Sequence, residues 1–209
     1  MIKKALNYVE SGFKSIKMQV SHCFTNDEDV INVKDMRSAL GNDIGIMIDV
    51  NQGWGVDEAI NVCQKLEEYS PEWVEEPIMA DNFEGYKTIS NSTSIPIVTG
   101  ENNFTHRDLL PLMKIKNIPI LQPDIMRGGY TDMLFTSKLA QNYNIKIAPH
   151  MFPELSIHIV SSIKNSSWLE YMGWYDHLWE EPLLPINGTL KPSDRPGHGM
   201  NFKSDICSF

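Results

Sequence analysis

Seven short β-rich runs are spaced along this chain with a near-constant period, and that period constrains the fold more than any other feature. The runs are SIKMQ, GIMIDVNQ, PEWVEEP, IPIVTGE, IPILQPD, IKIAPH and SWLEYM, and each carries a polar or titratable residue toward its C-terminal end. The segments between them have helical character. NDEDVINVKDMRSALG opens with an acidic first turn, has Val30, Val33 and Leu40 near helical spacing, and stops at Gly41. GVDEAINVCQKLEEYS, THRDLLPLMKIKN, YTDMLFTSKLAQNYN and ELSIHIVSSIKN are similar. Strands alternating with helices imply parallel βα units. Asp49 to Glu75 is 26 residues, Glu75 to Glu101 is 26, Glu101 to Asp124 is 23, Asp124 to His150 is 26 and His150 to Glu170 is 20. Such even spacing predicts an α/β fold of (β/α)8 TIM-barrel type, because the insertions of a doubly wound sheet vary more. In a barrel the C-terminal strand ends converge on one mouth, where active sites lie. KKALNYVES, ahead of the first run, reads as a helix, so a further strand is expected before it. Residues 1–209 are read as one catalytic barrel domain with about seven of eight strands.

The net charge of −9 argues against nucleic acid and anionic membranes as partners. No run of about 18 apolar residues is present, so no membrane span is expected. MIKKALNYVESG is amphipathic and lacks the apolar core of a signal peptide. The three cysteines, Cys23, Cys63 and Cys207, have neither disulfide-framework nor zinc spacing, and they suggest a reduced, cytoplasmic setting.

The runs place chemistry at the mouth. Asp49, Glu75 and Glu101 end three consecutive strands. Three clustered carboxylates raise each other's pKa and stay ionised together only around a cation. Oxygen donors alone favour Mg²⁺ over zinc. Asn51 and Glu76 flank these ligands and could support them. Asp124 and His150 end neighbouring strands, and an Asp behind a His suits a general base near neutral pH. Glu170 ends the last run; a crowded acidic mouth would favour its protonated form, which could hydrogen-bond an oxyanion. In the first run Lys17 and Gln19 alternate with Ile16, Met18 and Val20, so a barrel turns both inward. A divalent cation and a lysine can together hold a substrate carboxylate and stabilise the enediolate formed when a base removes the α-proton.

These stretches resemble the mandelate racemase subgroup of the enolase superfamily. GFKSIKMQV is similar to its second-strand lysine motif, IDVNQ, WVEEP and VTGEN to its three metal-ligand strands, PDIMRGG and APHMFPELS to its Asp-His strands, and WLEYM to its final Glu strand. The resemblance runs from about Gly12 to Glu170. It implies Mg²⁺ bound by Asp49, Glu75 and Glu101, and His150 with Asp124 as acid/base. It also implies Lys17 on the substrate carboxylate, Glu170 on the enediolate, and Gln19 and Asn51 beside the substrate. Members usually carry Lys-x-Lys on the second strand, where the second lysine is a base on the opposite substrate face. Here that position is Gln19, which cannot take a proton. One-base dehydration of an acid sugar to a 2-keto-3-deoxy acid is therefore expected. The resemblance further implies an N-terminal capping domain, not found in this sequence, and homo-oligomerisation in a full-length form. Three other readings are a racemase or epimerase of a 2-hydroxy acid using Lys17, a Schiff-base aldolase, and a non-catalytic remnant.

Overall fold

The computed structural model describes residues 1–206. It is built from βα units in chain order. A leading helix α1 (Ile2–Glu10) is followed by β1 (Ser15–Gln19), α2 (Asn26–Leu40), β2 (Gly45–Asp49), α3 (Val56–Leu66), β3 (Trp73–Glu75) and α4 (Phe83–Ser90). Then come β4 (Ile97–Val98), α5 (His106–Met113), β5 (Ile120–Leu121), α6 (Ile125–Gln141), β6 (Lys146–Ile147) and α7 (Pro153–Ser162). All strand pairs are parallel. β1 to β4 lie in sequence order, and β5 pairs with β6. A parallel bridge between Thr99 and Leu121 joins the two groups. Short later strands have a local cause: Pro96, Pro119, Pro123 and Pro149 flank them and donate no N–H to a ladder.

Side-chain alternation divides the interior. Ile46, Ile48, Val74, Ile97, Leu121 and Ile147 face outward and pack with the helices in the main apolar cluster. Met47, Trp73 and Val98 face inward, joined by Ile120 and Trp168, and form an apolar floor. The polar residue two positions after an inward apolar one therefore lies above that floor, as Asp49 does after Met47 and Glu75 after Trp73. The helices start on the mouth side with local caps. The Thr25 hydroxyl accepts from the Glu28 N–H at α2, Thr105 caps α5 with Asp108 opposite it, and Asn82 accepts from Gly85 at α4.

Two expectations change. The run SWLEYM is not a strand; a single parallel bridge, Ile147 to Ser166, falls just ahead of it. It is bonded to β6 through Ile147 N–H to Asn165 O (2.8 Å) and Ser167 N–H to Ile147 O (2.9 Å). It meets β1 through the Lys17–Glu170 ion pair, and the segment ahead of β1 through the Phe13 and Tyr171 rings, 6.0 Å apart. α6 begins at Ile125, earlier than the helical pattern from Tyr130 suggests, because Gly129 (φ 69°) divides a first turn from the longer helix. Cys23 and Cys63 are free thiols. Cys207 lies outside the described residues.

Candidate active site

The mouth is centred on Lys17. Its Nζ donates to Glu75 Oε1 at 2.7 Å, ion-pairs with Glu170 Oε1, and stands 3.9 Å from Asp49 Oδ2. Burial alone would lower the ammonium's pKa, but Glu75, Glu170 and Asp49 outweigh it and hold Lys17 well above the usual lysine value. The lysine stays cationic at any physiological pH.

Glu75 is fully buried, and its second oxygen accepts from Trp73 Nε1 at 3.0 Å. Trp73 and Glu75 sit two apart on one strand and share a face, which is the sequence signal for this bond. Burial and the neighbouring Glu75 push Asp49 up to about 7, although the Asn51 N–H donates to its Oδ1 at 2.9 Å. Burial followed by the repulsion of Glu76 pushes Glu101 up to about 7. Ligand atoms of Glu75, Glu101 and His150 all lie within 4.8 Å of one another.

His150 Nδ1 lies 3.0 Å from Glu101 Oε2 and 3.2 Å from Glu170 Oε2. His150 thus sits between the two carboxylates, while Lys17 occupies Glu170 Oε1 and Glu101 Oε2 has no aligned hydrogen-bond donor. Burial lowers the imidazole's pKa, but the Glu170 and Glu101 carboxylates overcome it and raise His150 above its ordinary value.

Two electrostatic expectations are corrected. Asp124 and His150 are backbone partners in a parallel bridge, yet their side chains part. α6 starts directly after Asp124, so its Oδ1 accepts from the Met126 N–H at 2.7 Å and caps the helix. His150 faces Glu101 and Glu170 instead. Glu170 is not held protonated. Burial would raise it, but His150 and Lys17 outweigh this and pull it down to about 2. Its Oε2 also accepts from the Met151 N–H at 2.8 Å.

Gln19 is exposed at the rim, opposite Asp49 in the β1–β2 register, with no side-chain partner among the described residues. Asn51 lies beside the acids, its Nδ2 3.5 Å from Glu101 Oε1. Glu76 is fully buried. Its left-handed backbone (φ 40°) ends β3 and turns its carboxylate away from that of Glu75, onto Asn102 and Thr99. Burial pushes Glu76 up to about 7.

The residues fit a hard divalent cation. Asp49, Glu75 and Glu101 offer oxygen donors only. Two of them carry raised pKa values that a nearby cation would reverse, and Glu101 keeps an oxygen without a donor.

A parallel βα architecture with a lysine, an acid cluster and a histidine at one strand-end mouth defines a class, and the comparisons agree. The model of the enolase C-terminal domain-like family matches residues 1–206, and the chain belongs to that family. It is 31% identical over 199 residues to 3,6-anhydro-alpha-L-galactonate cycloisomerase of Streptomyces coelicolor, covering 94% of this chain and 55% of that protein. It is 32% identical over 205 residues to L-talarate/galactarate dehydratase of Salmonella typhimurium, covering 97% of this chain and 50% of that protein. The crystal structure of L-talarate dehydratase from a Polaromonas species, complexed with Mg and L-glucarate, superposes with a TM-score of 0.91 at 28% identity over 98% of this chain and 57% of that one. The chain thus spans about half the length of the relatives it matches. Among the described residues no helix is long and apolar enough to cross a membrane.

Proposed function

We propose that this protein is a Mg²⁺-dependent acid-sugar dehydratase, with residues 1–209 forming its catalytic barrel domain. The observation that carries this reading is the convergence of Lys17, Glu170 and His150 on one mouth beside Asp49, Glu75 and Glu101. Asp49, Glu75 and Glu101 would hold Mg²⁺, which when bound supplies electrophilic stabilisation of a substrate carboxylate. Lys17 adds a permanent positive charge to that carboxylate. His150, with its raised basicity, removes the proton on the α-carbon, and the electron pair moves into the enediolate. The enediolate then collapses with loss of the β-hydroxyl, which departs as water with the proton returned by His150. The resulting enol tautomerises to a 2-keto-3-deoxy acid, so the net change is loss of one water without redox. The net charge of −9 disfavours nucleic acid as a partner, and the exposed free thiol of Cys23 suits the cytoplasm. Incubation with a panel of aldonic and aldaric acids tests the reading. A 2-keto-3-deoxy product lost on adding EDTA supports it, and no product from any acid, unchanged by EDTA, rejects it.

Gln19 limits proton transfer to the His150 face. In Gln19→Lys, an amine stands two residues from Lys17 on the same strand face. Solvent deuterium is expected to enter the α-carbon from the opposite face as well, read by NMR with both stereoisomers. Unchanged stereochemistry would count against the role given to Gln19.

Protons compete with the cation. Asp49 and Glu101 sit at about 7, above their ordinary values near 4. Between these values the metal-free folded state holds protons that the unfolded chain has released. Stability from these two groups therefore falls as pH rises through that window. Mg²⁺ needs both ionised, so its affinity is expected to fall by about tenfold per pH unit for each competing proton below pH 7. Titration calorimetry at pH 8 and pH 6 reads this, and the Mg²⁺-induced rise in melting temperature is expected to be larger at pH 8.

A further inference from the structure

The acid cluster has a neutral connection to a rim arginine that the chemistry above does not use. Asn102 Nδ2 donates to Glu76 Oε2 at 2.7 Å and to Glu101 Oε1 at 3.3 Å. Asn102 Oδ1 accepts from Arg127 Nη2 at 2.8 Å. A guanidinium only donates, so Arg127 fixes Oδ1 of the amide toward itself and leaves Nδ2 to donate to the two carboxylates. Arg127 is itself held, with its guanidinium 4.9 Å from the Phe104 ring centroid.

The RGG stretch makes this placement possible. Gly129 has φ 69°, which separates the turn bearing Arg127 from the long part of α6. A Cβ at Gly128 would come within 2.9 Å of Asp132 Cβ and 3.0 Å of Phe104 O. Only glycine lets this turn lie against the β4–α5 loop that carries Asn102 and Phe104.

We infer that Asn102, oriented by Arg127, is a positioning residue that sets the Glu101 carboxylate toward the metal-binding mouth. The link to the metal rests on reading Asp49, Glu75 and Glu101 as its ligands. The design has an electrostatic logic. His150 and Lys17 already bring positive charge to this cluster, and a further cation against Glu101 would add to the competition with the metal. A neutral amide polarised by a distant guanidinium supports the carboxylate and leaves its charge available.

The test uses ¹⁵N-labelled protein and the variants Arg127→Met, Arg127→Lys, Asn102→Ala and Arg127→Met with Asn102→Ala. In metal-free protein, hydrogen exchange of the Asn102 side-chain amide, followed by NMR, is expected to quicken about tenfold in Arg127→Met. Arg127→Lys, which can still donate to Oδ1, is expected to stay within about threefold of the parent. With Mg²⁺, calorimetry should find affinity about tenfold weaker in Asn102→Ala. It should be no weaker again in the double variant, because Arg127 acts through Asn102. Unchanged amide exchange in Arg127→Met, or additive losses in the double variant, would overturn the proposal. A parent protein that binds no Mg²⁺ would reject the metal reading, while the amide exchange would still decide whether Arg127 orients Asn102.

Discussion

Lys17→Met is expected to destabilise the metal-free protein by about 3–5 kcal/mol, the range seen when one member of a buried ion pair is removed. Lys17 is the counter-charge shared by Glu75, Glu170 and Asp49, and Glu75 is fully buried. Without the ammonium these acids must protonate or stay charged with no partner. The loss is therefore expected to be larger at pH 8 than at pH 6, where Asp49 and Glu101 already carry protons. Mg²⁺ should restore much of the stability, because it supplies the missing positive charge to the same group. Urea unfolding with and without Mg²⁺ reads all three effects. The comparison is Lys65→Met. The Lys65–Asp27 pair has a similar separation of 2.7 Å but is solvent-exposed, and its loss is expected to cost less than about 1 kcal/mol. Equal losses in the two variants would show that Lys17 does not neutralise the acids.

His150→Asn is expected to lower exchange of the substrate α-proton by about 10²–10⁴-fold, the range for a positioned general base. Mg²⁺ affinity should stay within about threefold of the parent, because the proposed ligands are carboxylates. Loss of Mg²⁺ binding together with activity would make His150 a ligand, a possibility raised by its closeness to Glu75 and Glu101. Full exchange activity in His150→Asn would remove it as the base. Borohydride inactivation of the parent in the presence of substrate would instead favour a Schiff base on Lys17.

Much of this geometry is legible in the sequence because strand and helix periods are local. The spacing of Asp49, Glu75 and Glu101 places three carboxylates on consecutive strand ends, and β2, β3 and the turn after β4 carry them. α2 opens with the acidic first turn that its sequence shows and stops at Gly41. What the sequence hides depends on backbone turns and on partners far along the chain. Asp124 is drawn to a helix start that its own position creates, so adjacency of strands did not become contact of side chains. Glu170 reads as one more acid in a crowded mouth. Its ionised state follows from Lys17, 153 positions earlier, and from His150. Glu76 shares a dipeptide with Glu75, yet a positive φ sends it to Asn102. The EEP stretch gives no sign of that turn. Trp73, by contrast, could have been found, since W-x-E on a strand puts indole and carboxylate on one face.

In the proposed reaction, His150 abstracts the proton at one face of a carboxylate substrate, supported by a divalent cation and without a second base. Solvent deuterium incorporation, followed by NMR on both C2 stereoisomers of an acid-sugar substrate or of its analogue lacking the β-hydroxyl, is the decisive measurement. Mg²⁺-dependent exchange is expected at the α-carbon of one stereoisomer, abolished by EDTA and by His150→Asn. Exchange at both stereoisomers, or exchange that persists without metal or without His150, would contradict that reaction.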